Sequence, residues 1–279
     1  MIKRRFLAGL LVFFLGYAIF FALFSLLIPK SDTKLTKKDF LSKKVETFSY
    51  VAIGDSLTEG VGDTTGQGGF IPLLVNNLNA TYGYEVISHN YGVTGNTSKQ
   101  ILTRMQENED ISKNLAKADL MTLTVGGNDV MAVIRKNLAD LDVNTFQKPS
   151  KDYQERLRSI IELARNNNKN LPIYILGIYN PFYLNFPEVT EMQTVVENWN
   201  KATQKVTKEY KNVYFVPIND LLYKGIDGEE GIVQTSGGQI TVINDALFAE
   251  DLFHPNNMGY QRMADAVMEE ISDTKKTWK

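Results

Sequence analysis

The sequence predicts an α/β domain of three layers, α/β/α, in which about five parallel strands carry helices on both faces, preceded by one transmembrane helix. Two observations lead there. Short, β-rich apolar runs alternate with segments of helical period from Phe48 almost to the C-terminus. Strand followed by helix, repeated along the chain, argues for a parallel sheet covered by helices on both faces. Ahead of them, residues 6 to 28 contain no charged side chain.

That first segment, Phe6 to Ile28, would run about 34 Å as a helix, enough for a hydrocarbon core of about 30 Å. It is longer than the usual signal-peptide core of about 7 to 15 residues, and no Ala-x-Ala-like site follows it. An uncleaved signal anchor over residues 1–28 is therefore expected. Lys3, Arg4 and Arg5 precede the span, while Lys30, Lys34, Lys37, Lys38, Lys43 and Lys44 follow it, so a bare count places the C-terminal side in the cytoplasm. The short basic N-terminus emerges first, and on that ground the domain is expected outside the cytoplasm, at the cell membrane. Residues 29–46 are polar, lysine-rich and aperiodic, and read as a solvated stalk before a domain of residues 47–279.

Five strands are expected: Tyr50 to Ile53, Glu85 to Ser88, Leu120 to Val125, Ile173 to Leu176 and Val213 to Val216. One helix should bury Val189, Met192, Val195, Val196, Trp199, Ala202 and Val206, and a last one Tyr260, Met263, Ala264, Val267 and Ile271. Five strands joined by right-handed crossovers suggest the flavodoxin-like order 2-1-3-4-5. Asp140 to Lys151 reads as a loop or short excursion between helices, and Gly225 to Asn244 as an inserted β-hairpin.

Composition excludes several functions. A net charge of -2 offers no clustered basic surface for nucleic acid. The absence of cysteine removes disulfides, thiolate catalysis and cysteine-ligated zinc. His89 and His254 are the two imidazoles available. No metal or organic cofactor is implied.

In a parallel sheet, ligands collect at the carboxyl ends of the strands, where strand order reverses. The first three strands end in Gly54-Asp55-Ser56-Leu57, in Asn90-Tyr91-Gly92-Val93-Thr94-Gly95-Asn96-Thr97 and in Gly126-Gly127-Asn128-Asp129. Each alone is ordinary turn and cap chemistry. Asp251-Leu252-Phe253-His254-Pro255 precedes the final helix, where a local turn lets Asp251 bind the ring of His254, and Pro255 suits a first helical position.

Ser, Gly, Asn and His in these settings and this order resemble the SGNH branch of the GDSL esterase and lipase family, from about Phe48 to Ile271. The resemblance implies Ser56 as nucleophile, His254 as general base and Asp251 as its orienting carboxylate. It also implies an oxyanion hole built from the backbone N–H groups of Ser56 and Gly95 and the side-chain amide of Asn128. Gly95 would suit that role because a side chain there could obstruct close approach. The Gly-x-Ser-x-Gly elbow of α/β-hydrolases is absent.

The remaining features have plainer readings. His89 is expected to be a packing residue, Asp55 and Asp129 turn and cap residues that order the site. The glycine-rich run Gly60 to Gly69 lacks Gly-x-Gly-x-x-Gly and reads as a mobile loop at the cleft. Aromatics in Tyr179 to Pro187 are expected to pack, with lining of an acyl pocket as the sharper alternative. The expected function is cleavage of a carboxylic ester through an acyl-enzyme on Ser56. Lipid, peptidoglycan O-acetyl and small soluble esters are all compatible substrates. Acyl transfer or deacetylation on envelope sugars, and an envelope-binding protein without turnover, are the alternatives.

Overall fold

The N-terminal apolar run forms one helix, α1 (Ile2–Leu27). Its segment Leu7–Phe24 is long and apolar enough to cross a membrane, as a span or as a signal sequence. The computed structural model describes residues 2–27, 45–137, 142–183, 190–223, 232–236 and 239–278. The expected stalk lies almost wholly outside them. The chain divides into two compact units, residues 1–44 and 45–279.

In the second unit five parallel strands, β1 (Thr47–Gly54), β2 (Glu85–Gly92), β3 (Leu120–Thr124), β4 (Ile173–Leu176) and β5 (Val213–Val216), lie in the order β2-β1-β3-β4-β5. Connecting helices are α2 (Ser56–Glu59), α3 (Phe70–Tyr82), α4 (Ser98–Glu107), α5 (Glu109–Leu115), α6 (Gly127–Lys136), α7 (Gln147–Ala164), α8 (Thr190–Thr207), α9 (Asn219–Tyr223) and, after an antiparallel hairpin of β6 (Ile232–Ser236) and β7 (Gln239–Ile243), α10 (Asn257–Thr274). Strand period sends alternate residues to opposite faces. Val51, Ile53, Leu123 and Ile175 join one core with Ile101, Tyr153, Leu157 and Trp199. Tyr50, Ala52, Tyr174 and Leu176 join the other with Phe70, Leu74, Tyr260 and Met263. This is the three-layer α/β/α fold, with strand order reversing between β1 and β3.

Several boundaries differ from expectation, among them the end of β3, at Thr124 rather than Val125. β1 starts at Thr47, and β2 runs on to Gly92 in unbroken register with it, Thr47 opposite Glu85 and Gly54 opposite Gly92. As an edge strand β2 carries polar Ser88, His89 and Asn90, so no apolar run announces its second half. His89 is half-buried there and stacks on Tyr91 at 6.4 Å between centroids. The loop expected at 140–151 is helical from Val143, first as a 3₁₀ turn (Val143–Phe146) and then as α7. Pro149 is only the third residue of α7, where an N–H has no intrahelical partner to lose. At α10 the cap is Asn256, whose Oδ1 accepts from the N–H groups of Met258 and Gly259 at 2.9 and 3.0 Å. Pro255 thus stands outside the helix, bridging to Leu247. Val189, Asn185, Phe186, Pro187 and Gly225 to Gly231 fall outside the described residues.

Candidate active site

Ser56 opens the single turn α2 at the carboxyl end of β1 and is buried. The turn is built from below. Asp55 caps it, its Oδ1 accepting from the N–H of Leu57 at 3.1 Å and from the Thr124 hydroxyl of β3 at 2.8 Å. The Thr124 hydroxyl also meets that of Thr58 at 2.7 Å. These side chains occupy the space in front of Gly54, where an added Cβ would lie 2.1 Å from Thr124 Oγ1. Glycine before Asp55 is thus a packing requirement. Burial pushes the Asp55 carboxyl up, opposed by the Thr124 hydroxyl and the Leu57 N–H. As expected, Asp55 is a turn residue that orders the serine.

His254 arrives from the loop before α10. Its Nε2 lies 2.9 Å from Ser56 Oγ and its Nδ1 2.6 Å from Asp251 Oδ2. The other carboxylate oxygen accepts from the N–H groups of Phe253 and His254 at 2.9 and 3.0 Å. Burial alone would raise the Asp251 pKa, but the bonds from the His254 ring and the two N–H groups outweigh it and hold the carboxyl below its usual range. An ionised carboxylate only accepts, so Nδ1 carries the proton and Nε2 is free to accept from the serine hydroxyl. Closing this turn puts Leu252 at φ 52, a left-handed conformation that costs a non-glycine residue roughly 1–2 kcal/mol.

The residues expected to supply oxyanion donors follow the carboxyl ends of β1, β2 and β3, and Asn128 lines one pocket with Ser56. Ser56, as first residue of α2, has an N–H without an intrahelical acceptor. Gly95 is the third residue of a turn closed by the bond from Asn96 N–H to Val93 O at 3.2 Å, and its φ is +78. A type II turn requires positive φ at that position. An added Cβ would meet no protein atom within 4 Å, so within the protein it is the turn's conformation that calls for glycine. Asn128 Nδ2 donates to Asn96 O at 3.1 Å, which sets the amide's orientation and leaves its second N–H available.

A protein-family model described as the GDSL-like lipase/acylhydrolase family matches residues 52–262. The chain belongs to the GDSL-like lipase/acylhydrolase family. Among its relatives is the uncharacterized protein YpmR of Bacillus subtilis, 30% identical over 243 residues, covering 87% of this chain and 88% of that one. Among solved structures, the lipase Lip_vut3 from a goat rumen metagenome is 21% identical with a TM-score of 0.63, over 80% of this chain and 96% of that one. The acetylxylan esterase Axe2 of Geobacillus stearothermophilus is 20% identical with a TM-score of 0.56, over 81% and 95%. The chain is thus an ester-hydrolase-like member of the GDSL family.

Several residues that order this GDSL site carry no motif of their own. Arg104 of α4 donates to Gly54 O at 3.0 Å, Tyr91 O at 2.8 Å and Asn96 Oδ1 at 3.3 Å, tying the ends of β1 and β2 to the Gly95 turn. From the other side, Glu59 accepts from the N–H and hydroxyl of Thr94 at 2.5 Å. Asp129 is more than a cap. It accepts from Ser98 N–H and hydroxyl at 2.8 and 2.6 Å and from Arg156 at 3.2 Å, joining the second and third motifs to α7. Among the described residues no cluster of three or more histidines and carboxylates could hold a metal ion.

Residues 60–69, expected to be mobile, are instead tied down. The Asp63 carboxylate accepts from the N–H groups of Thr65, Gln67, Gly68 and Gly69 at 2.8 to 3.1 Å and from the Thr65 hydroxyl at 2.6 Å. Tyr260 donates to Val61 O at 2.6 Å, and Asn257 binds Thr64. The loop backs the histidine: a Cβ added at Gly62 would lie 3.3 Å from that of His254. Burial acts to raise the Asp63 pKa, but its hydrogen bonds prevail and lower it. Its stabilisation is therefore present above the unfolded value of about 3.9 and disappears as pH falls through the lower folded value. Asp63→Asn should lower stability at pH 7, with the gap to wild type closing below about pH 4. Urea titrations at pH 7, 5 and 3 check this; a gap that is constant across them contradicts it.

Proposed function

We propose that this chain is a membrane-anchored serine esterase that cleaves a carboxylic ester through an acyl-enzyme on Ser56. The observation that carries the reading is the unbroken line from Asp251 through His254 to Ser56 Oγ, with bonds of 2.6 and 2.9 Å. In this reading Ser56 Oγ attacks the ester carbonyl as its proton passes to His254 Nε2. The carbonyl oxygen becomes an oxyanion facing the N–H groups of Ser56 and Gly95 and the amide of Asn128, whose fixed donors are each worth about 3 kcal/mol of barrier. His254 returns the proton to the departing alkoxide as the C–O bond breaks. Water, deprotonated by the same ring, then releases the acid and restores the serine. Asp251 holds the tautomer and stabilises the charged ring throughout.

The roles of Ser56, His254, Asp251, Gly95 and Asn128 are supported by this geometry together with membership of a family described by lipase and acylhydrolase activity. The partition into an anchor over residues 1–28, a stalk over 29–46 and a domain over 47–279 rests on the apolar helix Leu7–Phe24 and the charge pattern around it. We place the domain on the outer side, acting on a lipid, envelope or small-molecule ester.

Ser56→Ala should lower kcat for a 4-nitrophenyl ester by about 10⁴-fold or more, and Asn128→Ala by about 10²- to 10³-fold, with KM little changed. Steady-state kinetics on folded variants check both, and near-wild-type turnover by Ser56→Ala contradicts the nucleophile. Hydrolysis without an added acceptor is expected; product formation only with a sugar acceptor would make the chain a transferase. Protease added to intact cells should digest the domain, and full protection would contradict the outer placement.

A further inference from the structure

Next to Ser56 and Asn128 lies a partly open pocket with an interior of about 40 Å³, lined on its apolar side by Leu57, Val125, Ile178, Tyr179, Pro181 and Phe253. A water molecule needs about 10–15 Å³ of such space, so the interior is small, with room for a short acyl group. Its walls cannot readily retreat. Asn200 clamps Ile178 on both sides, accepting from its N–H at 2.8 Å and donating to its carbonyl at 2.7 Å. Asn180 N–H is held by Asn219 Oδ1 at 3.0 Å, and the Tyr179 hydroxyl donates to Phe253 O at 2.5 Å. Val125, Ile178 and Tyr179 are themselves buried at 3%, 7% and 8% exposure, with packed protein behind them.

The pocket also has a direction. Ser56 and Asn128, which flank the reacting carbonyl in the esterase reading, belong to its wall, whereas His254 does not. The group that takes a proton from His254 is the departing alcohol, so the alcohol lies on the histidine side and the acyl chain on the pocket side. Resting on the esterase reading, we propose that this pocket is the acyl site and restricts the substrate to acyl groups of about two to four carbons, with Ile178 and Val125 setting the limit. Longer chains meet a wall built on the backbone of β4's end and α8. A methylene that does not fit such a site costs about 10- to 200-fold in kcat/KM.

The test is a series of 4-nitrophenyl acetate, butyrate, hexanoate and octanoate, which share one leaving group, hydrolysed by the full chain in detergent with Ser56→Ala as blank. Acetate or butyrate should give the highest kcat/KM, and octanoate a value at least 10-fold lower. A profile that is flat or rises to octanoate overturns the acyl limit while leaving the esterase reading intact. No hydrolysis of any member overturns the esterase reading, and this inference with it. Ile178→Ala and, independently, Val125→Ala should each raise the octanoate-to-acetate ratio about 10-fold. An unchanged ratio in either variant, once folded by circular dichroism, removes that residue from the wall.

Discussion

Thr124 holds the site together from beneath. Its hydroxyl binds Asp55 and Thr58 in a junction where every side chain is buried, at the point where β1 and β3 lie side by side because strand order reverses. The parallel order brings these two carboxyl ends together, and the Asp55 cap then fixes the first turn of α2 and with it the direction of Ser56 Oγ. Buried polar groups are stable only when satisfied, so the junction tolerates one arrangement. The serine is oriented by a satisfied network rather than by a flexible loop.

The same logic extends to charges. Asp129 and Arg156 form an ion pair with side-chain exposures of 7% and 27%, and removing one partner of such a pair leaves an unpaired buried charge. The pair also meets Ser98, so the start of α4, the Asn128 turn and α7 are tied together. Arg104 and Glu59 add clamps on either side of the Gly95 turn. A donor aimed at a developing oxyanion contributes only if it does not have to reorganise, and the proposed donors Gly95 and Asn128 belong to turns held by charged anchors.

Much of this was legible in the sequence. Strands β4 and β5 were read at their observed limits because each is a continuous apolar run. The four motifs were legible because each is one contiguous turn. What could not be read is what acts across distance. The Arg104 bond to Gly54 joins residues 50 apart, and nothing about an arginine in an amphipathic helix marks it as a clamp. The stiff pocket wall depends on Asn200 reaching back to Ile178, and the Leu252 conformation on the Asp251 carboxylate accepting from the N–H groups of Phe253 and His254 in the same turn. The second half of edge strand β2 and the helical start around Pro149 were missed because both depend on hydrogen bonding that composition does not encode.

The account stands on Ser56 carrying the acyl group between two chemical steps. The direct measurement is acid quenching of the full chain within the first turnover of 4-nitrophenyl butyrate, followed by digestion and peptide mass spectrometry. One butyryl group on the peptide that contains Ser56, formed with a burst of one equivalent of nitrophenol and absent in His254→Ala, is the predicted result. A butyryl group on any other residue, or hydrolysis at full rate with no acylated peptide and no burst, would contradict it.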